Sequence, residues 1–319
     1  MFKGVDFFPH GTKWKIIEKR VLFVGISWAL AIISAILLMT RGLNYGVDFK
    51  GGSLIEIQAK GPTIDVASLR ETLNKLGFGE LQVQAAGTNG ALIRVGQQPA
   101  ADEAGEAKAQ EAANAKIKEA LAANYDWRRT EVVGAAVSSE LKMTGVYAVI
   151  AAIFGILLYV WFRFEWQFAV AAVVALVHDV FITMGMFSIL WYEFDLSVVA
   201  ALLTLAGYSI NDTVVVFDRI RENLRKYKKM PLIELLNASI NDTLSRTVLT
   251  SVVTGLAVLA LYVFGTSVIH GFAFAMLFGI LIGTYSSIFV ASPLLLWFGV
   301  KRDWSDDAAK PAPGMKAKA

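Results

Sequence analysis

The stretch Leu196–Val216, LSVVAALLTLAGYSINDTVVV, decides the fold. About 20 residues at ~1.5 Å rise each cross a hydrocarbon core of ~30 Å, so its length and apolar first half read as a transmembrane helix. Its second half carries Gly207, Tyr208, Ser209, Asn211, Asp212 and Thr213. An ionised carboxylate at the centre of such a helix costs about 2.5–3.5 kcal/mol on insertion scales. Spanning a membrane does not require one, so Asp212 reads as a functional group with a buried partner.

Working outward, five further apolar runs have spanning length: Val21–Met39, Met143–Trp161, Phe168–Leu190, Val248–Val263 and Phe272–Val290. The span containing Asp212 is expected to run on toward Arg221, and the last toward Phe298. A composition of 55% hydrophobic and 18% charged residues in 319 fits an integral membrane protein with some extramembrane mass. The first run follows a basic segment as a signal peptide would, but it ends Met39-Thr40-Arg41 without a small-residue cleavage site, so a retained anchor is expected. Lys13, Lys15, Lys19 and Arg20, then Arg163, then Arg219 to Lys229, then Lys301-Arg302 fall on one side of a six-span topology, whereas the short loop Trp191–Asp195 has no Lys or Arg. The positive-inside rule makes that side the cytoplasm, with both termini on it. The resulting layout is a cytoplasmic segment 1–20, a first span 21–39, a periplasmic domain 40–142, five spans over 143–298 with a basic cytoplasmic loop at about 217–247, and a disordered cytoplasmic tail 299–319.

Residues 40–142 read as a small α+β domain. Ser53–Gln58 alternates as a half-buried strand, and Val66–Leu76 is a helix closed by Gly77. Leu81–Ala85 and Ala91–Val95 are strands joined by the hairpin signal Thr88-Asn89-Gly90. Asp102–Ala123 is an Ala/Glu/Lys-rich helix, and Arg128–Val133 is a fourth strand. The order β-α-β-β-α-β is the ferredoxin-like split unit. Its charges nearly balance, which excludes a nucleic-acid surface. The fold class is therefore an α-helical membrane protein of six transmembrane helices, with one periplasmic ferredoxin-like α+β domain between helices 1 and 2.

No enzyme is expected. No lysine is followed by Ser or Thr, so there is no P-loop, and neither H-E-x-x-H nor G-x-S-x-G occurs. The chain has no cysteine and only His10, His178 and His270, which argues against a metal site; no cofactor is expected. An ion gradient suits such a chain better as an energy source than a nucleotide does.

The acidic membrane residues bear on that idea. Tyr208 and Ser209 share a helical face with Asp212, and Asn211 and Thr204 extend the polar stripe. Ser239–Thr243 repeats the pentapeptide Ser209–Thr213 and precedes Arg246 at the entrance of the fifth span. Asp212 and Arg246 reach matching depth from the same boundary, which fits either a structural ion pair or a proton relay. The repeat is read as part of an interfacial helix, Ile233–Thr243, with Asn and Asp as caps. His178-Asp179, near the middle of the third span, is open to the same two readings. Gly279-x-x-x-Gly283 is a small-residue packing motif, and His270 is a solvated outer residue. In Gly46–Ser53 the glycines permit a sharp exit from the membrane, with Asp48 as a local cap.

Four blocks, Gly46–Ser53 (GVDFKGGS), Ala206–Asn223 (AGYSINDTVVVFDRIREN), Ser239–Ser251 (SINDTLSRTVLTS) and Phe278–Pro293 (FGILIGTYSSIFVASP), resemble the signatures of the SecF family, protein-export membrane subunits within the RND superfamily. The resemblance covers all six spans and the exported domain, in order. It implies a subunit of the cell inner membrane that pairs with SecD and assists the SecYEG channel after SecA has acted, with YajC in the wider complex. Inward proton flow would draw the emerging preprotein outward. It also implies that Asp212 and Arg246 serve proton passage, with Asn211, Tyr208, His178 and Asp179 as supporting candidates, and that Gly46, Asp48, Phe49, Gly51 and Gly52 form the family signature. A half-transporter for small molecules and a structural scaffold without proton conduction are the competing readings.

Overall fold

A computed structural model describes residues 12–300. Expectations for residues 1–11 and 301–319, including His10, Lys301, Arg302 and most of the tail, lie outside the described residues.

A single turn of 3-10 helix, Ile17–Lys19, leads into α1 (Arg20–Thr40). The chain then forms β1 (Asn44–Tyr45), α2 (Val47–Lys50), β2 (Gly52–Ala59), α3 (Val66–Asn74), β3 (Leu81–Ala86), β4 (Gly90–Val95), α4 (Glu103–Leu121) and β5 (Tyr125–Val133). It re-enters the bundle through α5 (Ala135–Arg163) and α6 (Trp166–Leu190), then β6 (Glu193–Phe194) and α7 (Leu196–Lys226). Last come α8 (Leu232–Phe264), α9 (Ser267–Ser286), a stretch of π-helix at Ser287–Ala291, and α10 (Ser292–Trp297). Among the described residues six helical segments are long and apolar enough to cross a membrane.

The α+β domain has the expected topology. Its sheet order is β3-β4-β2-β5, every neighbour antiparallel, with α3 and α4 on one face. Strand alternation puts Ile55, Ile57, Ile93 and Val95 on that face, against Leu69, Leu73, Ile117 and Leu121. Each such burial contributes about 1.5–3 kcal/mol. Asp65 and Asp102 start the two helices by accepting from backbone N–H groups at Ala67, Ser68 and Gly105. The second face of the sheet, with Leu54 and Leu92, looks toward the bundle across a cavity of about 190 Å³.

Three expectations are corrected. The interfacial helix Ile233–Thr243 is not separate, because α8 runs unbroken from Leu232 to Phe264. No Gly or Pro interrupts its first 23 residues, the Ser239 and Thr243 hydroxyls bond back to carbonyls one turn earlier, and Leu235, Leu236, Ile240 and Leu244 are buried. Its Asn residues cap nothing: Asn237 and Asn241 accept the backbone N–H groups of Ile17 and Trp14, and Asp242 pairs with Arg219. Secondly, α5 begins at Ala135 rather than near Met143, so domain and membrane share one continuous helix instead of a linker. Thirdly, Asp48 is not a local cap. Its carboxylate accepts the Leu196 N–H at 2.9 Å, at the start of α7.

Small residues set how closely the helices approach. A Cβ on Gly279 would overlap the Leu205 side chain, and one on Gly283 would sit 3.1 Å from the Ser209 side chain, so the glycine pair packs α9 on α7. Gly185 on α6 lies against Ser34 of α1, whose Cα would be 3.0 Å from an added Cβ. Gly185→Val is therefore expected to lower bundle stability by about 1–3 kcal/mol through overpacking, read as an earlier thermal unfolding transition in detergent.

Candidate functional site

The α7 helix places three polar groups in the bundle, and each meets a different neighbour. Asp212 is 3% exposed. Its carboxylate accepts from Ser251 at 3.3 Å and Thr250 at 3.5 Å, both on α8. The Ser251 hydroxyl is itself 2.6 Å from that of Thr284 on α9. One residue on, Thr213 shares a hydrogen bond of 2.8 Å with Ser287. Ser209, three residues before Asp212, faces elsewhere and donates to Asp179 of α6 at 2.6 Å.

Asp179 is 0% exposed and is the better-bound carboxylate. Ser209 and Ser286 both donate to its Oδ2, at 2.6 and 2.7 Å, and His178 Nδ1 lies 3.0 Å from its Oδ1. This links α6, α7 and α9 at one point. The π-helical stretch follows directly, and there Ser287 turns to Thr213 while Ser286 turns to Asp179; such bulges recur at functional sites. His178 Nε2 and the Tyr208 hydroxyl are buried without a hydrogen-bond partner among the described residues. An unmade bond of that kind costs about 1–3 kcal/mol. Asn211 is exposed on the outer face of α7.

Asp212 and Arg246 lie near one another, but they do not form the ion pair that their depths allow. Among the described residues Asp212 has no cation within 4.0 Å. Arg246 is exposed and lines an open cleft of about 780 Å³ with Arg163, Asp218, Arg219 and Asp242, at the end of the bundle away from the α+β domain. The reason is local. Thr250 and Ser251 lie four and five residues after Arg246 on α8, and they occupy the carboxylate in its place while the guanidinium stays with the polar cleft. The Asp212 carboxylate is thus buried among neutral donors, an arrangement that can accept and release a proton without first breaking a salt bridge.

The signature glycines act where the chain leaves the membrane. A Cβ at Gly46 would stand 2.8 Å from Glu193 Oε1. Gly51 and Gly52 have φ of +75° and +112°, and a side chain at Gly52 would run into the Val95 carbonyl. Phe49 packs on Tyr45 and Phe194 with ring centroids 6.0 Å apart in each pair. His270 is exposed, as expected.

Sequence reasoning missed the hydroxyls that hold the two carboxylates: Ser251, Thr250 and Thr284 around Asp212, and Ser286 at Asp179. The available signal was the density of Ser and Thr on helices that otherwise read as apolar. It also missed the largely buried ion pair of Arg94 on β4 with Glu193 on β6. Among the described residues no three His, Cys, Asp or Glu side chains gather as a metal ion would require.

Comparison with known proteins bears on this arrangement. Residues 113–301 match the family model described as protein export membrane protein SecD/SecF, C-terminal, and residues 36–63 match that of the SecD/SecF GG motif. A protein translocase subunit SecF of Cereibacter sphaeroides is 44% identical over 304 residues, 92% of each chain. That of Escherichia coli O157:H7 is 44% identical over 94% of this chain and 92% of its own. The protein translocase subunit SecDF of Brucella abortus is 46% identical over 92% of this chain, which spans 38% of that longer protein. A crystal structure of Thermus thermophilus SecDF superposes on 90% of the chain with a TM-score of 0.80 at 38% identity, and this chain spans 39% of it.

Proposed function

The chain belongs to the SecD/SecF family of protein-export membrane proteins, and from that premise we propose that it is the SecF-type subunit of a protein translocase, paired with a SecD subunit and driven by the proton gradient. It is a multi-pass membrane protein. In this reading it lies in the cell inner membrane with both termini in the cytoplasm and residues 40–142 on the outer side, the orientation favoured by its basic residues. SecD supplies the other half of the membrane unit. SecYEG, SecA and YajC form the wider complex, and the substrate is the preprotein emerging on the outer side after the SecA step. No enzymatic step is assigned; the relatives are translocase subunits by name.

The observation that carries the reading is Asp212, buried among hydroxyls with Arg246 held apart in a polar cleft. A static ion pair would put the guanidinium on the carboxylate; here the scaffold reading lacks its bond. In the proposed cycle a proton from the outer side neutralises Asp212, removing a buried charge that costs a few kcal/mol. Release toward the Arg246 cleft restores that charge. Asp179, with His178, Ser209 and Ser286, lies beside the route as a hydrogen-bonded support, and Tyr208 and Asn211 border it. One charge crossing 100 mV is worth about 2.3 kcal/mol, enough to bias a two-state equilibrium about 50-fold. In inverted membrane vesicles containing this chain and SecD, collapse of the proton gradient after the ATP-driven step is expected to stall preprotein release. Release at an undiminished rate would contradict the proposal.

A further inference from the structure

The outward side of α8 and α9 carries a long apolar groove of about 550 Å³. Val252 and Leu256 of α8 form one wall and Leu277 and Leu281 of α9 the other; Val252, Leu256 and Leu281 are exposed. Gly255 leaves the α8 wall open, since a Cβ there would have nothing within 4 Å. From Leu244 to Leu259 the groove follows α8 for about 22 Å of helical rise. One leaflet of a ~30 Å hydrocarbon core is about 15 Å deep, so the groove is long enough for a whole acyl chain. Ser251 and Thr284 also line it, their hydroxyls 2.6 Å apart, and Ser251 donates to Asp212. At the start of α8 the groove ends on Trp14 and Ile16, just ahead of α1. Trp14 is fixed there by its backbone: its N–H donates to Asn241 at 3.0 Å, and its carbonyl accepts from Asn241 at 2.9 Å. Lys13 and Lys15 flank it. Both are exposed, and neither pairs with an acid among the described residues. Glu18, the acid of this segment, accepts from Asn237 at 2.9 Å.

We propose that this groove binds one anionic phospholipid, with an acyl chain lying between α8 and α9 and the phosphate held at Lys13 and Lys15. That the headgroup belongs to the cytoplasmic leaflet rests on the proposed function; the site itself does not.

The two ends of the groove select the occupant in different ways. Lipid tails are as apolar as leucine, so the groove fixes position by packing and adds little preference of its own. Preference comes from the lysines, since each basic residue near the surface favours an anionic headgroup by about fivefold. Trp14 adds an amphipathic ring of the kind that sits at headgroup level. A partner helix has a better surface elsewhere. Thr204, Gly207 and Asn211 are exposed along α7, small or polar groups of the sort that membrane helices bring together. The groove offers branched aliphatic chains and rings instead, and no residue of α7 lines it. A seated tail covers Ser251 and Thr284, so the hydroxyls that hold Asp212 are shielded from the membrane side by lipid.

Native mass spectrometry of the full chain tests the site, with the protein released from mixed micelles of equal phosphatidylglycerol and phosphatidylcholine. One phosphatidylglycerol is expected to be retained, with a preference above ~10-fold. Lys13→Gln combined with Lys15→Gln should cut that preference below about threefold, and Gly255→Leu, which fills the groove, should lower retention of either lipid. Lys229→Gln, exposed between α7 and α8, is the control and should change neither. Placement is read separately. The chain has no cysteine, so a benzophenone can be attached at Leu256→Cys alone; in vesicles shared with SecD it should crosslink to phospholipid. Equal retention of the two lipids, a preference unchanged in the lysine variant, or a crosslink to a polypeptide overturns the site. If Gly255→Leu fails to fold, the lysine variant and the crosslink decide. No proton flux enters these measurements, so their failure leaves the Asp212 reading standing, and loss of gradient-driven release would leave the lipid site standing.

Discussion

Asp212→Asn is expected to abolish proton-driven export while leaving a folded chain bound to SecD. Asparagine has nearly the same shape: its one oxygen can accept from either Ser251 or Thr250, which meet different carboxylate oxygens at 3.3 and 3.5 Å, and its NH2 can donate to the other hydroxyl, so packing around α7 and α8 survives. What it cannot do is gain or lose a charge. It removes the group whose ionisation costs a few kcal/mol in the membrane, and with it the roughly 50-fold bias that 100 mV can impose through one charge. The expected result is co-purification with SecD at the wild-type level, with a gradient-dependent component of export below about a tenth of wild type. Ser251→Ala separates the two roles of the site. It removes a donor and leaves the acid, so it should shift the pH dependence of export without eliminating it.

Gly52→Ala is expected to unfold the α+β domain locally. At φ +112° a side chain is strained by about 1–3 kcal/mol, and the new methyl would run into the Val95 carbonyl, a backbone atom that cannot swing away. The position joins α2 to β2, whose register with both β4 and β5 begins at Gly52 and Ser53. With a combined cost of about 3 kcal/mol, hydrogen-exchange protection in β2 and β4 of the full chain should fall by about two orders of magnitude. Gly61→Ala serves as the control, since nothing lies within 4 Å of it and its φ is not positive. It should change protection little.

The two carboxylates show how far the sequence could be read. Apolar run lengths gave all six helices, because a bilayer-length stretch has few other uses, and strand alternation with Asn-Gly turn chemistry gave the split α+β unit. Asp212 stood out for the cost of its charge. Its partner did not follow, because matching depth on antiparallel helices fixes height and leaves rotation free. Arg246 and Ser251 lie about 140° apart around α8, so the rotation of that helix decides which of them meets the carboxylate, and only packing sets it. Asp179 was recognised by depth, whereas its serine cage depends on a π-helical turn that no local pattern announces. Arg94 and Glu193 are about 100 residues apart in the chain and look like ordinary surface charges until the fold brings them together. Asp48 likewise belongs to a turn by local pattern and to the α7 cap by tertiary structure.

The measurement that bears most directly on the proton-coupling account records proton flux and preprotein release together, in vesicles carrying SecD with either this chain or its Asp212→Asn variant. The account predicts that flux and release rise together with the imposed gradient in wild type and that both disappear in the variant. Undiminished release by Asp212→Asn, or release that fails while gradient-driven flux continues, would contradict it.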